Sequence, residues 1–145
     1  MKNKISKKIN GGSEIIGGFT LIEMLVVIAV VGILSAAVLA SLGPARTKAK
    51  DSRIISALRQ VQAVAESYYD GDYSGLSVAN PAQMTTLASD ITANQGTLTV
   101  SLSSDELNYA AEADLACGST WYCVDSNGNA KQYGTDPDTT AGVCP

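Results

Sequence analysis

The residues with most chemistry to offer stand together near the start of the chain, in Gly17-Gly18-Phe19-Thr20-Leu21-Ile22-Glu23. Two residues without side chains let the backbone lie extended in a protease cleft, which makes the Gly18–Phe19 bond a candidate cleavage site. Glu23 is the only charged side chain among the 27 residues from Phe19 to Ala45. A carboxylate beside hydrocarbon is costly and needs a partner or a task. No catalytic set stands elsewhere. There is no histidine, which removes the commonest general base and the commonest metal ligand. Ser-x-x-Lys, a nucleotide loop and Cys-x-x-Cys are all missing as well. The expectation is a protein that is not an enzyme and carries no cofactor.

Two acidic loops offer oxygen ligands, Asp70-x-Asp72-x-Ser74-Gly75 and Asp125-x-Asn127-x-Asn129. Neither has the bidentate glutamate that a calcium loop places twelfth, where Pro81 and Asp136 stand instead. Turn chemistry accounts for both, and no metal is expected. Cys117, Cys123 and Cys144 leave one thiol over in any single pairing. A hairpin about Gly118-Ser119 would put Cys117 and Cys123 on different rungs, a poor geometry for a bond. Cys123 with Cys144 is the expected pair, pinning the tail to a sheet; Cys117 with Cys144 is the alternative.

Charge and hydropathy show what must position these residues. Lys2, Lys4, Lys7 and Lys8 precede an almost wholly apolar stretch, Met24–Leu42, followed by Arg46, Lys48, Lys50, Arg53 and Arg59. From Glu66 onward there are eleven acids and one base, Lys131. As a helix, Met24–Leu42 would run roughly 28 Å, close to the hydrocarbon thickness of a bilayer. The leader lysines place the N-terminus in the cytoplasm, although the bases after the span pull the other way. A basic front and an acidic rear argue for membrane topology and against nucleic acid as a direct ligand.

Beyond the span, Ile54, Leu58, Val61, Ala65 and Tyr68 recur at helical spacing. One helix from about Phe19 to Tyr69 follows, with a bend or short break at Gly43-Pro44. Asn80 is expected to cap a short helix with Pro81 in its first turn, an apolar face of Met84, Leu87, Ala88 and Ile91, and Gly96 at its end. Strands are read at Thr97–Leu102, Leu107–Leu115, Trp121–Asp125 and Ala130–Tyr133, the last two about Asn127-Gly128. The fold class is α+β: a long N-terminal helix, membrane-spanning in its first half, packed against a small antiparallel sheet. The divisions are a cleaved leader over 1–18, the helix over 19–69 (19–45 in the membrane, 46–69 amphipathic) and a head over 70–145.

A basic leader ending in glycine, then Phe-Thr-Leu-Ile-Glu running into one apolar span, resembles the type IV prepilin and pseudopilin family across residues 11–42. The resemblance implies cleavage after Gly18 by a membrane prepilin peptidase, methylation of the Phe19 amine and extraction into a helical filament of identical copies. It also implies an assembly ATPase and a membrane platform as partners. The precursor would be a single-pass protein of the cytoplasmic membrane, the product a surface pilus subunit. In such a filament Glu23 would neutralise the Phe19 amine of a neighbouring subunit; an acid in the first turn, serving only the helix dipole or its own chain's amine, is the plainer alternative. Other functions compatible with the sequence are a pseudopilin of a type II secretion or DNA-uptake system, and a signal-anchored surface binding protein or enzyme.

Ser35-Ala36-Ala37 could serve an ordinary signal peptidase, but the span exceeds a 7–15-residue signal core and Glu23 sits inside it. Mass spectrometry of the mature protein should therefore find Phe19 at the N-terminus, carrying a methyl group. A start at Val38 would identify an ordinary signal. Gly18→Glu should leave uncut precursor in the membrane.

Overall fold

The computed structural model describes residues 18–145. The leader lysines and Gly17 lie outside the described residues. Two compact units divide the chain, one ending at Ala40 and the other Ser41–Pro145. Helix α1, Leu21–Tyr68, is assigned without interruption through Pro44. Of the bend or short break expected at Gly43-Pro44, the break is not formed. In the first unit every described side chain is exposed. This part of α1 is long and apolar enough to cross a membrane.

In the second unit α1 becomes one-sided. Ile54, Ala57, Leu58, Val61 and Ala65 are buried, a stripe at helical spacing. Tyr68, read as its last member, is only half-buried, and its hydroxyl donates to the Ser74 carbonyl. Helix α2, Ala82–Ala93, buries Met84 and Ile91 in the same core, with Leu87 and Ala88 packed at its margin. Its start differs from expectation. Pro81 occupies the cap position without a side-chain cap, because the Asn80 amide donates instead to Tyr68 Oη at 2.9 Å and the Gly75 carbonyl at 3.0 Å. Its end differs too. Gln95 takes the left-handed conformation (φ 75°), whereas Gly96 is needed for space: a Cβ there would sit 2.8 Å from the Asp114 carbonyl oxygen.

Four strands follow, β1 Leu98–Leu102, β2 Tyr109–Asp114, β3 Trp121–Asp125 and β4 Ala130–Tyr133, as an antiparallel meander. Leu107 falls outside β2 and is 50% exposed in the β1–β2 loop, and the expected alternation of burial is not found, because Tyr109 to Ala113 are all buried. Leu98, Tyr109, Ala111, Ala113, Tyr122 and Val124 join the α1 stripe in one core. The opposite face is buried as well. Ala110 and Cys123 pack against Cys144 of the tail, and Tyr133 borders them. Asp125 is 0% exposed on this side. Its Oδ1 accepts from the Asn127 and Asn129 backbone N–H groups, and its Oδ2 from the Asn129 side chain and the Cys144 N–H. One carboxylate thus fixes both the β3–β4 turn and the chain end.

Glu112 lies on this same covered face, opposite Thr99 and Cys123, and is 6% exposed. Its Oε2 has no hydrogen-bond partner. Burial and then the charge of Asp136 push its carboxyl up from its ordinary value; the Thr139 hydroxyl opposes this and Asp138 adds to it. The native carboxyl therefore keeps its proton to a higher pH than the unfolded chain's, near about 4.3. The folded state binds the extra proton in the window above that value, and stability falls as pH rises through it. Glu112→Gln should melt above wild type at neutral pH, with the two curves meeting below about pH 4. A variant melting at or below wild type at pH 7 would contradict this placement of the carboxylate.

Candidate functional site

Helix α1 begins with a reciprocal cap. Thr20, just before Leu21, donates its N–H to Glu23 Oε2 at 2.7 Å and its hydroxyl to the same oxygen at 2.8 Å. In return the Thr20 hydroxyl accepts the Glu23 N–H at 3.2 Å. This is a capping box, and it satisfies two helix-start donors that would otherwise face hydrocarbon. Thr-x-x-Glu was visible at residues 20–23, yet Thr20 was not singled out in the sequence.

Phe19, Ile22, Glu23, Val26 and Val27 line a shallow groove with almost wholly apolar walls. Phe19 itself is 79% exposed, and a Cβ on Gly18 would meet nothing within 4 Å. The Gly18–Phe19 bond therefore stands clear of the described residues around it. Glu23 and Phe19 share the groove, but the Phe19 nitrogen is an amide while that bond is intact. The carboxylate is instead engaged by Thr20, a partner nearer in sequence than the Phe19 amine.

The cysteines lie in the head, as the second set of residues singled out. Cys123 and Cys144 are bonded, their Cα atoms 6.0 Å apart and 21 residues apart in sequence. Cys117 is an exposed free thiol in the β2–β3 turn. Its N–H donates to Asp51 Oδ1 at 3.2 Å, which fastens the turn to α1. Asp51 was another residue that sequence reasoning passed over, since nothing local links it to a turn 66 residues away. The two acidic loops are occupied by their own backbones. Asp72 Oδ1 accepts the Ser74 N–H at 2.9 Å, and both oxygens of Asp125 are filled as described. Among the described residues no group of three or more ligating side chains gathers.

Comparison with known proteins bears on the N-terminal unit. Residues 16–39 match the family model of the prokaryotic N-terminal methylation motif. The match covers the candidate cleavage site and the apolar start of α1, and the motif is the feature that the resemblance to type IV prepilins and pseudopilins rests on. No curated protein and no solved structure matches it. The motif followed by an apolar helix supports a membrane-anchored, pilin-like or pseudopilin precursor, and a structural subunit in preference to an enzyme.

The cysteine arrangement has a direct readout. Alkylation of the native, unreduced protein should modify Cys117 alone, and reduction should expose two further thiols. In the chain-entropy description, closing a loop of this size stabilises the head by about 3 kcal/mol, so the reduced protein should melt lower. A native peptide joining Cys117 to Cys144 would refute the arrangement.

Proposed function

We propose that the chain is a structural subunit of a type IV pilus-like surface filament. It enters the membrane as a prepilin, is cut after Gly18 by a prepilin peptidase and methylated on Phe19. It then polymerises through α1 on an assembly platform driven by an ATPase. The division into a leader over 1–18, a helix over 19–69 and a head over 70–145 belongs to this proposal. One observation carries it: the first part of α1 is apolar on all sides, and among the described residues of its unit every side chain is exposed. Such a surface is stable only in lipid or among other apolar helices, and the match to the N-terminal methylation motif supports a subunit that uses both.

Glu23 is proposed to pair with the Phe19 amine of a neighbouring subunit. Within a lone subunit in the membrane it lies near one end of the span, where headgroups or a proton relieve it. In a filament those escapes close, and an inter-subunit amine becomes the best partner. Its Oε2 is taken by Thr20, while Oε1 accepts nothing among the described residues.

Capping and pairing can be separated by experiment. Thr20→Ala removes the cap and keeps the charge, whereas Glu23→Ala removes both. The proposal expects cleaved, membrane-resident subunit in both variants, near-normal filaments from Thr20→Ala and few or none from Glu23→Ala. Equal loss of filaments in the two would reduce Glu23 to a helix-start residue. Abundant filaments built from Glu23→Ala alone would remove it from assembly altogether.

A further inference from the structure

The second unit carries its charge in two separate places. At the start of its helix stand Arg46, Lys48, Lys50, Arg53 and Arg59. Lys50 is engaged by Gln95 Oε1 and Arg59 by the Tyr122 hydroxyl. Arg46, Lys48 and Arg53 are exposed and make no ion pair with any described residue. Asp51 accepts the Cys117 N–H, Asp90 a side-chain N–H of Asn94 and Asp114 the Thr97 N–H, and none of the three is ion-paired with these bases among the described residues.

The other end of the unit carries five exposed carboxylates, Glu66 among them with its oxygens accepting the Tyr73 and Tyr109 hydroxyls. The one base of this part of the chain, Lys131, lies on β4 opposite Cys123. Glu66 is in the last turns of α1, and Asp70 and Asp72 are in the turn after it. The β1–β2 loop brings Asp105 and Glu106 alongside, because the Tyr73 N–H donates to the Glu106 carbonyl at 2.8 Å. Hydrogen bonds from Ser74 hold the Asp72 carboxyl below its ordinary value, and those from Ser103 and Leu107 do the same for Asp105. Both stay charged in mildly acidic medium. Along the helix, Lys48 and Asp70 are separated by roughly 33 Å, several times the Debye length of about 8 Å at physiological salt. The two ends cannot neutralise each other within one chain.

We propose that the basic neck of one subunit, through Arg46, Lys48 and Arg53, docks on the acidic end of the next copy, formed by Glu66, Asp70, Asp72, Asp105 and Glu106. The inference rests on the filament reading given above. The contact joins unlike surfaces, and a heterologous contact that does not close by rotation builds an open helical assembly. Its partner is a second copy because the complementary surface stands on this same chain. Opposite potentials at the two ends also favour one polarity of addition over the reverse.

Filaments sheared from cells making the full chain provide the test. A zero-length carbodiimide should join Lys48 to Asp70, Asp72, Asp105 or Glu106, a link that the separation along α1 makes impossible within one subunit. Reversing the neck with Lys48→Glu and Arg53→Glu should lower filament yield at least tenfold while leaving cleavage intact. Adding Asp70→Lys and Asp72→Lys in the same chain should restore filaments. Undiminished yield from the neck reversal, or links from Lys48 only to other carboxylates, would overturn the contact while leaving the filament in place. A neck reversal that blocks membrane retention of the precursor and is not rescued would assign these bases to anionic lipid headgroups and overturn it equally. Wild-type subunit that is cleaved but never polymerises would overturn the filament reading itself, and the contact with it.

Discussion

Along the first part of α1, a helix must exist whose apolar side chains are left exposed by the described residues of its own unit. Leu21, Ile22, Ile28, Ile33, Leu34 and Leu39 are each more than half exposed. Burying one such side chain fully is worth about 1.5–3 kcal/mol, so the unmet burial summed over this segment rivals the whole stability of a small domain. The backbone is content in any solvent, since its hydrogen bonds close within the helix. The side chains are not. They require a second phase, either lipid or more of the same helix. That requirement explains why charge is excluded from Met24 to Ala45, why a charged leader must be removable at its edge, and why the helix start supplies its own cap.

The head has to fold without help from that segment. It does so around α1's one-sided half, with the stripe from Ile54 to Ala65 facing the sheet. A four-stranded meander covered on one face only would leave its other face wet. Here the tail covers it, although it contributes no strand and few large apolar groups. Its hold is polar and covalent: the Cys144 N–H on buried Asp125, the Cys123–Cys144 bond, and the Tyr133 hydroxyl donating to the Pro145 carbonyl. Gly142 fits because a Cβ there would lie 2.5 Å from the Ser103 nitrogen. Small size and exact placement of backbone groups do what apolar bulk does on the first face.

These two faces differed sharply in how far the sequence disclosed them. Periodicity revealed the α1 stripe, the apolar face of α2 and β3 and β4 with their bounds, because alternation and helical spacing are direct images of a half-buried element. β2 was read as alternating, yet both of its faces are buried from Tyr109 to Ala113. Alanines at 110, 111 and 113 fit either side, so the pattern could not show that something lay over the second face. Asn80 and Gly96 were assigned by local chemistry and turned out to serve distant groups, the Tyr68 hydroxyl and the Asp114 carbonyl. Local propensity gives the commonest use of a residue, and tertiary contacts decide the actual one. The candidate site was legible in its types and spacing at Gly18, Phe19 and Glu23. Thr20 is legible only as the first member of Thr-x-x-Glu, a pattern that marks a helix start wherever it occurs.

The cap changes how the carboxylate at residue 23 should be understood. A free glutamate side chain loses much of its rotamer freedom on entering a packed interface, a cost of about 1.5–2 kcal/mol at most. Thr20 holds one oxygen in place through two hydrogen bonds before any neighbour arrives. Part of that ordering is then complete in the lone subunit, and pre-organised groups bind their partners more tightly for this reason. The cap involves the Thr20 N–H, which remains an amide after cleavage at Gly18–Phe19. The proposed processing would therefore create the positive amine one residue away without dismantling the carboxylate's support. Capping the helix occupies one oxygen of this side chain and leaves the other for the proposed pairing with a neighbour, so the first use would favour the second.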